Sequence, residues 1–385
     1  MEKVIENKDK KLKYFIEDYW DIFLGIISIM LAFYFHKMGQ GGMATLFAAI
    51  GIGSLSLSVS EVAEILSERL QEPYGSFVLT LSAVVVEIIL LYIILLQAVT
   101  DPTVVDTVKG GIISAVIVDM NVLLGLAVFL GGLRFTEQEY NKETSSTYTT
   151  ILFVTAAALL VPSVLSLGKH SVKVIEDASM WIAVLLMVFY IIILIFQTKT
   201  HTRFFKSTVK SRIFRLKRKV PEKDSEEDDD YIFEKFNKIG LIASIFVFIV
   251  IIAIGAEVFA SDGIKLAKEY GLSAGISGLI IAIVAVSPEI VTAIKAAKND
   301  EIQRVVNIAM GASTVSILLT VPILMGLAYL SGIRFTLDFN PLEIGALILT
   351  IILAWKTTNE GKTNYFAGMS HLMFFLAFAI IAMYY

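Results

Sequence analysis

The chain contains no cysteine. That excludes disulfide staples and thiolate metal sites, but says little about compartment when most of the chain is apolar. Histidine is scarce as well. His36, His170, His201 and His371 are scattered and lack metal-ligand spacing. For His371, in the last apolar run, a packed or head-group-facing position is expected ahead of a proton relay. No Gly-rich phosphate loop occurs, which argues against ATP drive within the chain. No soluble-enzyme constellation is present either, so no enzymatic activity is expected. The start does not read as a cleaved signal peptide. A charged and aromatic segment, MEKVIENKDKKLKYFIEDYW, precedes the first apolar run, and no small-residue cleavage site follows it.

What the chain has in quantity is hydrophobic residues, at 56%, against about 45–50% apolar in an ordinary soluble domain. Runs of about 20 apolar residues can cross a bilayer as helices. About eleven such runs are present, at 20–35, 43–59, 75–97, 108–130, 148–167, 180–197, 241–259, 274–294, 305–330, 342–355 and 365–384. The shortest need flanking residues or a thin membrane to cross. The predicted fold class is an all-α polytopic membrane protein.

The net charge of −4 is unremarkable, but its distribution is informative. With the N-terminus in the cytoplasm, about 25 of the 32 basic residues fall on the inside. This predicts a multi-pass protein of the cell membrane, with an inside N-terminus and an outside C-terminus. Much of the excess comes from one loop after the sixth run, basic over 199–219 and acidic over 222–230. Its basic part could rest on anionic head groups, and its acidic part could collect Ca²⁺ or its basic neighbour. A solvated loop without an ion role is the plainer reading.

The loop separates two related halves. SEVAEILSERLQEPYGSFVLTLSAVVVEI (60–88) and AEVFASDGIKLAKEYGLSAGISGLIIAIVAVSPEI (256–290) both begin with a small residue and Glu-Val, and both end a long apolar run in Glu-Ile. Glu61 thus pairs with Glu257, and Glu87 with Glu289. A five-helix unit copied once must sit in opposite orientations, which places a substrate site near the midplane where interrupted helices meet. The expected organisation is a cytoplasmic segment at 1–19, an extra N-terminal helix at 20–40 and a first five-helix repeat at 41–198. The cytoplasmic loop at 199–238 and a second, inverted repeat at 239–385 follow.

Glu289 stands in AIVAVSPEIVTAIKAA, directly after Pro288. An ionised side chain at the bilayer centre costs at least ~2.5 kcal/mol, and a Pro there frees a backbone carbonyl. Together they suggest a cation site. The alternative is a protonated Glu beside a kink. Each Glu-bearing run is followed by one rich in small and polar residues, 108–132 and 306–326. Asp119 lies in the middle of the first, either joining the site or pairing with a polar group elsewhere. Two facing intramembrane carboxylates suit a hard divalent cation such as Ca²⁺, which takes six to eight oxygens. Hydroxyls of Ser82, Ser287, Ser114 and Ser313, carbonyls at helix breaks and water could complete the shell. Two close carboxylates in a low dielectric cannot both stay charged without a cation. Metal and protons would therefore exclude one another. A single acid with carbonyls would suit Na⁺ or K⁺ instead.

These residues carry a resemblance. The segments at 68–88, 197–201 (QTKTH), 287–311 (SPEIVTAIKAAKNDEIQRVVNIAMG) and 361–372 (GKTNYFAGMSHL) resemble the calcium/cation antiporter superfamily, and within it the cation/proton exchanger branch of bacterial ChaA type. The resemblance implies an N-terminal helix plus two inverted five-helix repeats, and H⁺-driven export of Ca²⁺, with Na⁺/H⁺ or K⁺/H⁺ exchange as the alternative. It assigns the two motif acids to Glu87 and Glu289, the accessory acids to Glu61 and Glu257, and an acidic joining segment to 226–230. The usual Gly-Asn before the first Glu is absent from SAVVVE, an Asn/Ser pair is replaced around Asp119, and a Gln becomes Val315. These departures bear on metal identity more than on transport class.

The reading is therefore an antiporter working by alternating access, with peripheral helices rocking or sliding past a Glu-bearing core. Glu87 and Glu289 bind metal and protons in turn, and Asp119, Ser82, Ser287 and Ser313 surround them. No prosthetic group is expected. The partners are membrane lipid, the metal ion and the proton. No nucleic acid is expected, and a homo-oligomer is compatible with the sequence. Readings from other classes are a cation channel, or a membrane sensor or scaffold whose buried acids are structural.

Overall fold

The computed structural model describes residues 2–70, 74–201 and 232–384. Most of the basic and acidic loop, including the acidic segment 226–230, lies outside the described residues. Eleven helical stretches among them are long and apolar enough to cross a membrane. They match the eleven predicted runs, and the two shortest runs lengthen to Tyr19–Lys37 and Pro341–Thr358. Most helices overrun their apolar windows. Hydropathy marks the hydrocarbon-facing part, while backbone hydrogen bonding carries the helix on into the interface.

The chain divides into two compact units. Among the described residues, the first comprises 2–70, 74–86 and 232–266, and the second 87–201 and 267–384. The units do not follow the two halves of the sequence, since each draws on both.

The first unit contains α1 (Glu2–Lys37), α2 (Gly41–Arg69), the beginning of α3 (Tyr74–Leu96) and most of α8 (Lys238–Glu269). α1 and α2 pack in close contact. A Cβ on Gly51 would stand 2.5 Å from Ile29 of α1, so a larger residue would force the helices apart. Several polar links tie this unit. Ser58 donates to buried Asp21 at 2.5 Å, and His36 Nδ1 lies 2.7 Å from Asp262 Oδ2.

The second unit holds the rest of α3, then α4 (Val104–Ile117), α5 (Leu124–Arg134), α6 (Lys142–Leu167) and α7 (Val172–Ile195). After α8 come α9 (Ala274–Lys298), α10 (Ile302–Val315), α11 (Val321–Leu330), α12 (Pro341–Thr358) and α13 (Tyr365–Tyr384). Local chemistry sets several starts. Ser273 caps α9 by accepting from Ile276 N. Asn340 and Glu343 form a reciprocal capping box at α12, with Pro341 at its first position. α9 packs against α4 and α5. A Cβ on Gly278 would meet the Gly110 carbonyl carbon and Gly111 nitrogen at 2.5 Å, so the two backbones touch there. α13 packs on α5.

Two spans of this unit are built alike. α4 passes through a π-helical turn, Val118–Leu123, into α5. α10 passes through a second, Ser316–Thr320, into α11. Both lead-in helices are 14 residues long. A π turn inserts one residue into the α ladder and is enriched at functional positions.

Both ends of the unit are tied. At one end, β1 (Gln138–Glu139) pairs antiparallel with β2 (Lys362–Thr363), and Gln138 donates to Ala297 O and Asp300 Oδ1, each at 3.1 Å. At the other, an extended stretch buries Ile333, Phe335, Leu337 and Phe339 in alternation. Its backbone is pinned by Ser179, which accepts from Leu337 N, and by Ser163, which accepts from Phe339 N, each at 2.9 Å. Lys109, almost fully buried, reaches Asp338 of this stretch at 2.7 Å.

Candidate cation site

Glu289 lies on α9, one residue after Pro288. Contrary to the expected interruption, α9 runs unbroken from Ala274 to Lys298. Pro288 has no N–H for the Val284 carbonyl one turn before it. The Ser287 hydroxyl donates to that carbonyl at 2.8 Å, so the helix repairs its own gap. Ser287 thus has a structural task, and only its lone pairs remain to face a ligand. The interruptions fall instead on the neighbouring spans, as the two π turns.

Asp119 is the second residue of the first π turn and is 1% exposed. Ser313 of α10, fully buried, shares its hydroxyl hydrogen between Ala309 O at 2.9 Å and Asp119 Oδ2 at 3.3 Å. Glu87, on α3, is 8% exposed. Its Oε2 accepts from Ser316 at 2.7 Å, the first residue of the second π turn. Thr320, one turn further on, is directed at the same carboxylate but falls short of hydrogen-bond geometry. Asp119 lies within Coulombic reach of both Glu87 and Glu289, and Glu289 within reach of Glu87.

Three carboxylates from three spans thus lie within electrostatic reach of one another inside one unit. Each keeps one enclosed oxygen with no hydrogen-bond partner: Glu87 Oε1, Asp119 Oδ1 and Glu289 Oε2. The hydroxyls of Thr314 and Thr320 are enclosed and unpaired as well. An unpaired buried polar atom costs about 1–3 kcal/mol, and three like charges in a low dielectric repel strongly. The arrangement is relieved by a cation or by protons. Among the described residues, no three His, Cys, Asp or Glu side chains are grouped so as to hold a metal ion by themselves. A bound cation would draw on hydroxyl and carbonyl oxygens too.

The other residues singled out from the sequence fall elsewhere. Ser82 is buried on the part of α3 that belongs to the first unit. Glu61 and Glu257 also belong to that unit, half-buried and exposed respectively. Ser114 is buried on α4. His371 is packed, at 1% exposed. Sequence reasoning missed Ser316, Thr320 and Asn121. Ser316 and Thr320 sit four apart in an apolar run, a spacing that puts both on one helical face. Asn121 sits mid-span two residues after Asp119.

The fold and this cluster define a polytopic membrane protein with acids gathered inside the helical bundle. The chain belongs to the sodium/calcium exchanger protein family, whose model matches residues 37–199 and 240–384. It is 29% identical over 336 residues to the sodium-potassium/proton antiporter ChaA of Escherichia coli, covering 86% of this chain and 87% of that protein. It is 23% identical over 360 residues to a Ca²⁺/H⁺ antiporter of Synechocystis, covering 92% and 93%. Among solved structures, native YfkE superposes with a TM-score of 0.75 at 18% identity, covering 95% of this chain and all of that one. The H⁺/Ca²⁺ exchanger CAX gives 0.66 at 12% identity, covering 95% and 93%. At these identities the structural likeness speaks for the fold.

Proposed function

We propose that this chain is a secondary active antiporter that exports cytoplasmic Ca²⁺ in exchange for H⁺ by alternating access. The carrying observation is the trio Glu87, Asp119 and Glu289, each holding an enclosed, unpartnered oxygen. Ca²⁺ prefers several carboxylate and neutral oxygens together. Once the metal leaves, the crowded carboxylates require compensating protons, with titration that belongs to the cluster. That alternation is the coupling. Glu289 is the more direct metal ligand, because Ser316 already holds one oxygen of Glu87, whereas the Glu289 carboxylate accepts from no side chain. Ser313 and Ser316 hold the partner acids in place, and Ser287 keeps α9 continuous beside Glu289. The two repeats are inverted copies, a reading supported by the matched helix–π–helix construction of their third spans.

The second reading is Na⁺ or K⁺ exchange for H⁺. It is favoured by the sodium-potassium/proton activity in the name of the Escherichia coli relative.

The test is ion flux in proteoliposomes under an imposed pH gradient, with Ca²⁺, Na⁺ and K⁺ supplied separately. Glu87→Gln and Glu289→Gln should each abolish exchange. Unchanged flux in both refutes the assigned acids. Metal flux without counter-movement of protons replaces the antiporter with a channel.

A further inference from the structure

Two residues beyond Asp119, on the same π turn, Asn121 is completely buried and stands outside the acid cluster. Its side-chain Nδ2 donates to Ile117 O at 3.0 Å and to Thr350 Oγ1 of α12 at 2.9 Å. Reversing the amide would set its oxygen against the Ile117 carbonyl, so the orientation is fixed. Both amide hydrogens are used, and Oδ1 is left to accept. Opposite it, at 3.0 Å, is His371 Nδ1 of α13. An amide oxygen only accepts, so Nδ1 carries the ring hydrogen. Nε2 lies 2.8 Å from Thr357 Oγ1 of α12 and accepts from a hydroxyl that it shares with the Leu353 carbonyl at 2.9 Å. Every polar atom of the chain Thr357–His371–Asn121–Thr350 then has a partner.

The link cannot withdraw easily. A Cβ added to Gly125 of α5 would stand 3.0 Å from His371 Cβ, so the two backbones leave no slack. The support falls on a π turn, a rare interruption of the α ladder that recurs at functional positions. An amide between His371 and Asp119 also makes a poor proton conductor. The geometry therefore suits support rather than relay.

We propose that His371 is a positioning residue for Asp119. Through Asn121 it locks the π turn to α12 and α13, which keeps the Asp119 carboxylate directed at Glu87 and Glu289. This rests on the reading of the three acids as the exchange site.

The test uses the full chain in proteoliposomes, with uptake of Ca²⁺ and, separately, Na⁺ driven by a pH gradient. His371→Phe should raise the half-saturating cation concentration roughly tenfold, with little change in maximal rate. His371→Asn, whose amide reaches the place of Nδ1, should restore it. In an Asp119→Asn background, His371→Phe should add nothing. Independent, multiplicative effects of the two substitutions overturn the proposal, as does a His371→Asn chain as impaired as His371→Phe. A second measurement guards against misfolding: imidazole ¹⁵N resonances of a chain carrying His36→Gln, His170→Gln and His201→Gln. A hydrogen on Nδ1 and none on Nε2 supports the proposal, and the reverse tautomer overturns it. Flux that survives both Glu87→Gln and Glu289→Gln refutes the exchange site, while the tautomer result still stands or falls by itself.

Discussion

Ser316 gives its hydroxyl hydrogen to Glu87 across 2.7 Å, joining a π turn of one span to the acid of another. The bond orients the carboxylate so that Oε2 is held and Oε1 faces inward without a partner. Ser316→Ala should leave both oxygens unpaired and weaken cation binding roughly tenfold, the equivalent of about 1–1.5 kcal/mol. Ser316→Thr should retain most of the affinity. Equilibrium binding of Ca²⁺ and of Na⁺ to purified protein checks this, and an unaltered Ser316→Ala isotherm removes Ser316 from the site.

Ser287 and Pro288 are predicted to be coupled through one carbonyl. Ser287→Ala strands Val284 O and should cost about 1–3 kcal/mol of stability. Pro288→Ala restores a backbone donor to the same oxygen. The double substitution should therefore be more stable than the sum of the single effects. Thermal melting in detergent reads this out, and simple additivity counts against the repair.

Gly278 should tolerate nothing larger. A methyl group there would lie 2.5 Å from the Gly110–Gly111 backbone, and neither chain can move without shifting α9 against α4. Gly278→Ala should destabilise by about 1–3 kcal/mol, and Gly278→Val should abolish a monodisperse product. Size-exclusion profiles and melting curves test both. A normal Gly278→Val protein would show that the helices do not cross at this point.

Asp338 lies outside the spans and gives a pH dependence with a defined sign. Burial pushes its carboxyl up, but hydrogen bonds from Lys109 and Thr336 prevail and hold it below the usual carboxylate range. Its folded value is thus below the unfolded value of about 3.9. The contribution to stability is complete above that value and is lost as pH falls through the folded one. Asp338→Asn should flatten the acid limb of a melting-temperature profile taken from neutral to about pH 3. An identical limb in Asp338→Asn assigns the dependence to other groups.

Much of this architecture is legible in the sequence, for a physical reason. A bilayer demands long apolar helices, so hydropathy alone locates all eleven spans. Glu87, Asp119 and Glu289 stand out because acids are costly in apolar runs. Less legible is how the neighbouring backbone is arranged. Pro288 suggests a break, yet a single serine hydroxyl keeps α9 continuous. Nothing in VDMNVL or SILLT announces a π turn, because a widened ladder is set by tertiary packing rather than by local propensity. Ser316 and Asn121 were hidden for the same reason: their importance comes from the partners that those turns bring within reach. Likewise the division into compact units does not follow the two halves read from the sequence, because packing groups helices by contact.

Each π turn also fixes the length of its span. One inserted residue advances everything downstream by about 100° around the helix axis. Gly110 and Gly111, which meet α9, lie before the first turn, and Gly125, which meets α13, lies after it. Their two contact faces are in register only because the extra residue is there. Deleting any one residue from Val118–Leu123 would rotate Gly125 away from α13 while leaving Gly111 in place. These spans should therefore accept conservative exchanges far more readily than a change of a single residue in length. The rotational phase of the helix is as much a part of the site as the acids are.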